Sequence, residues 1–212
     1  YCNLFTRPQT RRTADADNLL LSRIRGVQRM GKFIPGLIIG LLIIPIVVWC
    51  WLTLGNPPVA VSDPSFPFEK QIVHMPLNRR IDAQMPKTSP IQATPENLLA
   101  GAHIYREQCA SCHGLSGHPS GFGPHMYPAA PQLWNKHRNG VVGVSDDPVG
   151  ETYWKVDNGI RLTGMPSYRK TLSDTEMWQV CWLLKQADQP LPSDVQQLVQ
   201  TPLPESTPNP VR

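Results

Sequence analysis

The chain of 212 residues is poor in paired cysteine, in aromatic residues and in charge, and it carries no internal repeat. Of its five cysteines, only Cys109 and Cys112 stand close together; Cys2, Cys50 and Cys181 are isolated. A zinc ribbon needs two such pairs, so that class is excluded. Charged residues make up 17%, and residues 95–187 hold eight basic and eight acidic side chains. A stretch without net charge has no basic face to offer, which argues against nucleic acid as a partner. The basic excess of the chain lies in residues 1–32, with seven Lys/Arg against two Asp.

Charge is wholly absent from Phe33 to Leu54, a run of 22 residues. As a helix this run measures about 33 Å, the thickness of a bilayer's hydrocarbon core. Arg23, Arg25, Arg29 and Lys32 precede it, and the fifteen residues after it contain no Lys or Arg. The positive-inside rule then places residues 1–32 in the cytoplasm as a basic arm and everything after Leu54 outside, in the periplasm, with 33–54 crossing the inner membrane once. Trp49 and Trp51 fall where the outer interface lies. Gly36 and Gly40 form a small-xxx-small pattern that admits a neighbouring helix, or reflect only the frequency of glycine in such spans. Pro45 removes one backbone hydrogen bond and predicts a kink. Residues 18–31 read either as a basic helix on the inner surface or as a solvated lead-in.

Proline marks two further segments. Residues 55–94 contain Pro57, Pro58, Pro64, Pro67, Pro76, Pro86 and Pro90 without a helical or strand period, and read as an extended linker. Residues 188–212 form a tail of the same character. Between them, residues 95–187 carry helix signals. Thr94 caps a helix that begins at Pro95, with Leu98, Ala102 and Tyr105 on one face. A middle helix runs from Glu151 to Asn158 and stops at Gly159. Ser173 and Glu176 form a capping box opening a helix through Met177, Trp178, Cys181, Leu184 and Lys185.

Cys109-Ala110-Ser111-Cys112-His113 is a C-x-x-C-H motif, the signature of covalent haem c attachment. Two thiols three residues apart on a helical turn reach the two vinyl groups of one haem edge, and the adjacent His supplies a ligand to the iron. The competing reading of the pair is a structural disulfide. The outside placement of this segment, derived separately from the charge asymmetry, is where haem c is attached.

With Gly101, Tyr105, Asn158-Gly159, Gly164-Met165-Pro166 and the Trp178/Trp182 helix, the stretch 95–187 resembles a class I mono-haem cytochrome c. The resemblance implies an all-α fold: a small cytochrome c domain behind one transmembrane helix, with Pro-rich extensions. It implies one covalent haem c held by Cys109 and Cys112, with His113 and Met165 as axial ligands. Met126, His118 and His125 are rival sixth ligands in a Gly/Pro-rich loop. It further implies a first-to-last helix crossing at Gly101 against Trp182, and a carbonyl at Pro131 that orients His113.

The function so implied is single-electron transfer within a larger membrane complex, with no catalysis of its own. A haem enzyme such as a peroxidase or gas sensor needs an open sixth site, and a single C-x-x-C-H excludes the two-haem peroxidase type. Around Met75-Pro76-Leu77-Asn78 and from Thr152 to Met165 the chain resembles single-haem cytochromes of acidobacteria. That points to the cytochrome subunit of homodimeric type I photosynthetic reaction centres as the family and to a reaction-centre core as partner. The alternatives are the cytochrome subunit of a respiratory oxidase, of a quinol-oxidising complex or of a nitric oxide reductase.

Overall fold

The computed structural model describes residues 35–137 and 140–204. The basic arm, residues 33–34 of the apolar run and residues 205–212 of the tail lie outside the described residues. The chain divides into two compact units, one ending at Val59 and the other beginning at Ala60.

The described part of the first unit is dominated by one helix, α1, Pro35–Leu54. It has the length and composition of a membrane span, and none of its residues is buried. In water such a surface would be unstable; in hydrocarbon it is the expected one, because every backbone group is satisfied within the helix. The helix runs continuously through Pro45, and Gly36 and Gly40 lie on open surface.

The second unit is all-α. Its helices are α2 (Glu69–Gln84), α3 (Pro95–Gln108), α4 (Ala110–His113), α5 (Val149–Asn158), α6 (Asp174–Lys185) and α7 (Ser193–Gln200), with a 3-10 turn at Gly123–His125. Among the described residues there is no strand, only isolated bridges at Leu115–His118 and Lys136–Val142.

The core forms where α3, α5 and α6 meet. Leu98, Ala102 and Tyr105 of α3 pack with Trp178, Cys181 and Leu184 of α6 and Tyr153 and Val156 of α5. Tyr153 stacks on Trp178 with ring centroids 4.1 Å apart. The expected caps are present: Thr94 accepts from the Asn97 amide, and Ser173 with Glu176 forms a complete capping box. The middle helix begins two residues earlier than expected, at Val149, because Pro148 supplies the N-terminal break.

The first-to-last crossing is made at Gly101, but not against Trp182. A Cβ on Gly101 would sit 2.3 Å from the Gln179 carbonyl oxygen and 3.1 Å from the Val180 nitrogen. The glycine is needed because backbone meets backbone there. Trp182 instead turns its indole N–H to Ser89 Oγ at 3.0 Å and to the Ile91 carbonyl at 3.1 Å. It pins the end of the linker to the domain.

Both Pro-rich segments hold more structure than their composition suggests. Residues 69–84, expected to be extended, form α2. Ile81 is buried, and Trp154 of α5 donates to the Gln84 side chain at 3.2 Å. The tail forms α7, whose Val195 and Val199 are buried against α3. Arg106 of α3 donates to the carbonyls of Leu198 and Thr201, capping the C-terminal end of α7.

Candidate haem-attachment site

Cys109 ends α3, and the chain tightens at once into the single turn α4 that carries Cys112 and His113. The Cys112 and His113 amides both donate to the Cys109 carbonyl, at 3.2 and 3.0 Å. Two thiols and an imidazole are thereby gathered on one turn. Gly114 ends it at φ +72° and accepts the buried Tyr105 hydroxyl at 2.8 Å. Tyr105 thus ties α3 directly to the residue after the motif.

His113 is oriented from behind. Its Nδ1 lies 2.8 Å from the Pro131 carbonyl oxygen. A carbonyl only accepts, so Nδ1 carries the proton and Nε2 keeps its lone pair for a ligand bond. This is the carbonyl expected at Pro131. Burial lowers the His113 pKa, and the Pro131 hydrogen bond opposes that shift. The net effect favours the neutral, ligating form. Burial and the neighbouring Cys112 push the Cys109 thiol up to about 12.

Gln132 braces the loop after the motif. Its side-chain nitrogen donates to the Cys112 carbonyl at 3.2 Å, and its oxygen accepts from the Ser120 amide at 2.6 Å. Next to it, the Trp134 ring meets Tyr105 edge-on at 5.8 Å.

Met165 lies in the loop between α5 and α6, partly buried and packed against the core. The loop is held at three points. Gly159, at φ +67°, ends α5, and a Cβ there would sit 2.7 Å from Pro166 backbone. The Met165 carbonyl accepts from the Ile160 amide at 3.2 Å, and its amide donates to Thr163 Oγ1 at 3.1 Å. The Tyr168 hydroxyl donates to the Gln108 carbonyl at 2.7 Å, the residue just before the attachment turn. Tyr168 therefore joins the Met165 loop to the end of α3.

Of the rival ligands, His118 and His125 are exposed. Met126 is partly buried, and its methyl group fills the space where a Cβ of Gly164 would stand. Gln132, Trp134 and Tyr168 were not singled out from sequence. A polar residue directly after Pro131 and a tyrosine three residues past Met165 were the available signals.

The residues present fit a covalent haem. Two thiols and an imidazole with a committed Nδ1 share one turn, which is the donor set covalent haem attachment needs. The described residues contain no cluster of three or more His, Cys, Asp or Glu suited to a bare metal ion.

An all-α fold with this turn at its centre defines a c-type cytochrome domain, and such a domain binds haem c covalently. Residues 96–181 match the family model described as cytochrome C oxidase, cbb3-type, subunit III. Among curated proteins, none matches the chain. A solved chain of the Kuenenia stuttgartiensis reducing HAO-like protein complex Kustc0457/Kustc0458 is similar at 23% identity and a TM-score of 0.38. The likeness covers 49% of this chain and 49% of that one.

Proposed function

We propose that this chain is a membrane-anchored single-electron carrier that serves as the cytochrome subunit of a larger complex, donating to a photosynthetic reaction centre. The observation that carries the electron-carrier reading is the attachment turn, with His113 locked by Pro131 and Met165 on a loop tied to that turn through Tyr168. Haem, when bound, supplies a one-electron iron couple. Cys109 and Cys112 hold it by thioether bonds. His113 Nε2 and the Met165 sulfur would hold its iron, and a thioether there would favour the ferrous state and close the site to substrates.

Candidate span α1 anchors the domain, with residues 1–32 in the cytoplasm and the haem domain in the periplasm. A tethered domain meets its partner at high local concentration and needs little electrostatic steering, which suits the zero net charge of residues 95–187. The reaction-centre partner rests on the resemblance around Met75–Asn78 and Thr152–Met165. A second reading, a subunit of a respiratory oxidase, is favoured by the family match over residues 96–181. Flash absorption in the haem α-band on native membranes separates them. Oxidation within about milliseconds of a flash, a timescale for a prearranged pair, supports the photosynthetic partner. Oxidation on adding oxygen, with no light response, supports the oxidase.

A further inference from the structure

The side of α2 turned away from the domain has no use in the electron-carrier reading. Ile72 and Met75, three residues apart, share one face of α2, and Phe68 stands just before its first turn, at φ +62°. Phe68, Ile72 and Met75 are 74%, 62% and 72% exposed. Ile81, the residue α2 buries, stands nine positions after Ile72, about 180° around the helix. So α2 has two apolar faces. One packs on the domain; the other is largely exposed, and solvating large apolar side chains is costly.

The covalent chain indicates what covers this face. Phe68 follows Leu54, the last residue of α1, by fourteen residues, a reach of at most about 50 Å when fully extended. Those residues contain a single charge, Asp63, and include Val61, which is also exposed. Arg79 continues the same face one turn beyond Met75. An aromatic residue and aliphatics giving way to a basic residue is the pattern of a helix lying in a bilayer interface, with the guanidinium at the headgroup phosphates. Glu69, in the first turn of α2, lies against the Tyr127 hydroxyl and holds that phenol above its usual range. Tyr127 adjoins Met126, whose methyl group packs at Gly164 in the Met165 loop.

We propose that Phe68, Ile72 and Met75 seat α2 in the outer leaflet of the membrane that α1 crosses, making a second, interfacial anchor. It rests on the membrane-anchored reading. Seated there, α2 restricts the rotation a single tether would allow.

The test uses the full haem-loaded chain in anionic liposomes, with Cys2→Ser and Cys50→Ser removing accessible thiols. Nitroxide labels go one at a time on cysteines at positions 72 and 75, at 44 within α1, and at exposed Glu107 on α3. Power saturation compares dissolved oxygen with an aqueous nickel chelate. The expected result is that oxygen dominates at 72 and 75, as at 44, and the order reverses at 107. Labels at 72 and 75 that behave like 107 while 44 remains lipid-embedded overturn the interfacial anchor and leave the span standing. Shielding from both reagents at 72 and 75 also overturns it, in favour of a protein contact. A water-exposed label at 44 overturns the span itself.

Discussion

At the scale of single residues, the site depends on bonds made behind His113 and Met165, the proposed ligands. His113 cannot rotate while Nδ1 is committed to Pro131, and Met165 cannot drift while its backbone is held by Ile160 and Thr163. Replacing Met165 by Ala should therefore leave the fold and the attached haem intact while lowering the potential. The shift should be on the order of a hundred millivolts, within the roughly 0.8 V that axial ligation spans. Spectroelectrochemical titration measures it, and an unchanged midpoint would remove Met165 from the ligand set in favour of Met126. The double change Cys109→Ser, Cys112→Ser removes both thiols without altering the turn. Haem should then leave on acid–acetone extraction, whereas it stays with the wild-type protein; retention in the variant would contradict the attachment.

At the scale of elements, the attachment turn is buttressed from two sides. Tyr168 holds the Met165 loop to α3, and α7 packs behind α3 with Val195 and Val199 buried. Helix α7 has eight residues, too short to persist alone, so its stability comes from that packing and from Arg106 at its C-terminal end. The Ser116 amide, three residues past His113, donates to the Val199 carbonyl at 2.9 Å, which links α7 to the site. Arg106→Met keeps the apolar stem and removes the donors. It should destabilise the domain by about 1–2 kcal/mol, the value of charge-assisted hydrogen bonds that are partly exposed. Thermal melts followed in the far-UV measure this, and hydrogen exchange should rise first in residues 193–201. A uniform rise across the domain would mean that α7 is not an independently frayed element.

At the scale of the whole molecule, the described parts are an apolar helix and a cytochrome c domain joined by a short connection. Tethering makes encounter with a partner in the same membrane first-order. A protease site inserted after Pro64 gives the direct test. With Ile72→Gln and Met75→Gln also in place, so that α2 no longer holds the domain to the bilayer, cleavage should change haem oxidation from a rate independent of protein concentration to one that falls on dilution. A rate unaffected by cleavage and dilution would show that a tight interface, rather than the tether, holds the domain to its partner.

The features readable from sequence are those set by local chemistry. Five residues suffice to specify the attachment turn, because thiol spacing and an adjacent imidazole act within one helical turn. The apolar helix, described as the candidate span Pro35–Leu54, the caps at Thr94 and Ser173 and the stop at Gly159 are likewise local. What the tertiary structure decided depends on distant groups meeting. Residues 69–84 lack a single amphipathic period because α2 carries apolar side chains on two opposite faces, so its helix was hidden. The tail was read from its prolines, yet eight residues between Pro192 and Pro202 form α7, since α3 offers an apolar surface and Arg106 a cap. Gly101 was recognised as a crossing point, but its partner proved to be the Gln179 backbone rather than Trp182. Which atom fills the space beside a glycine follows from helix packing, and no one-dimensional pattern records it.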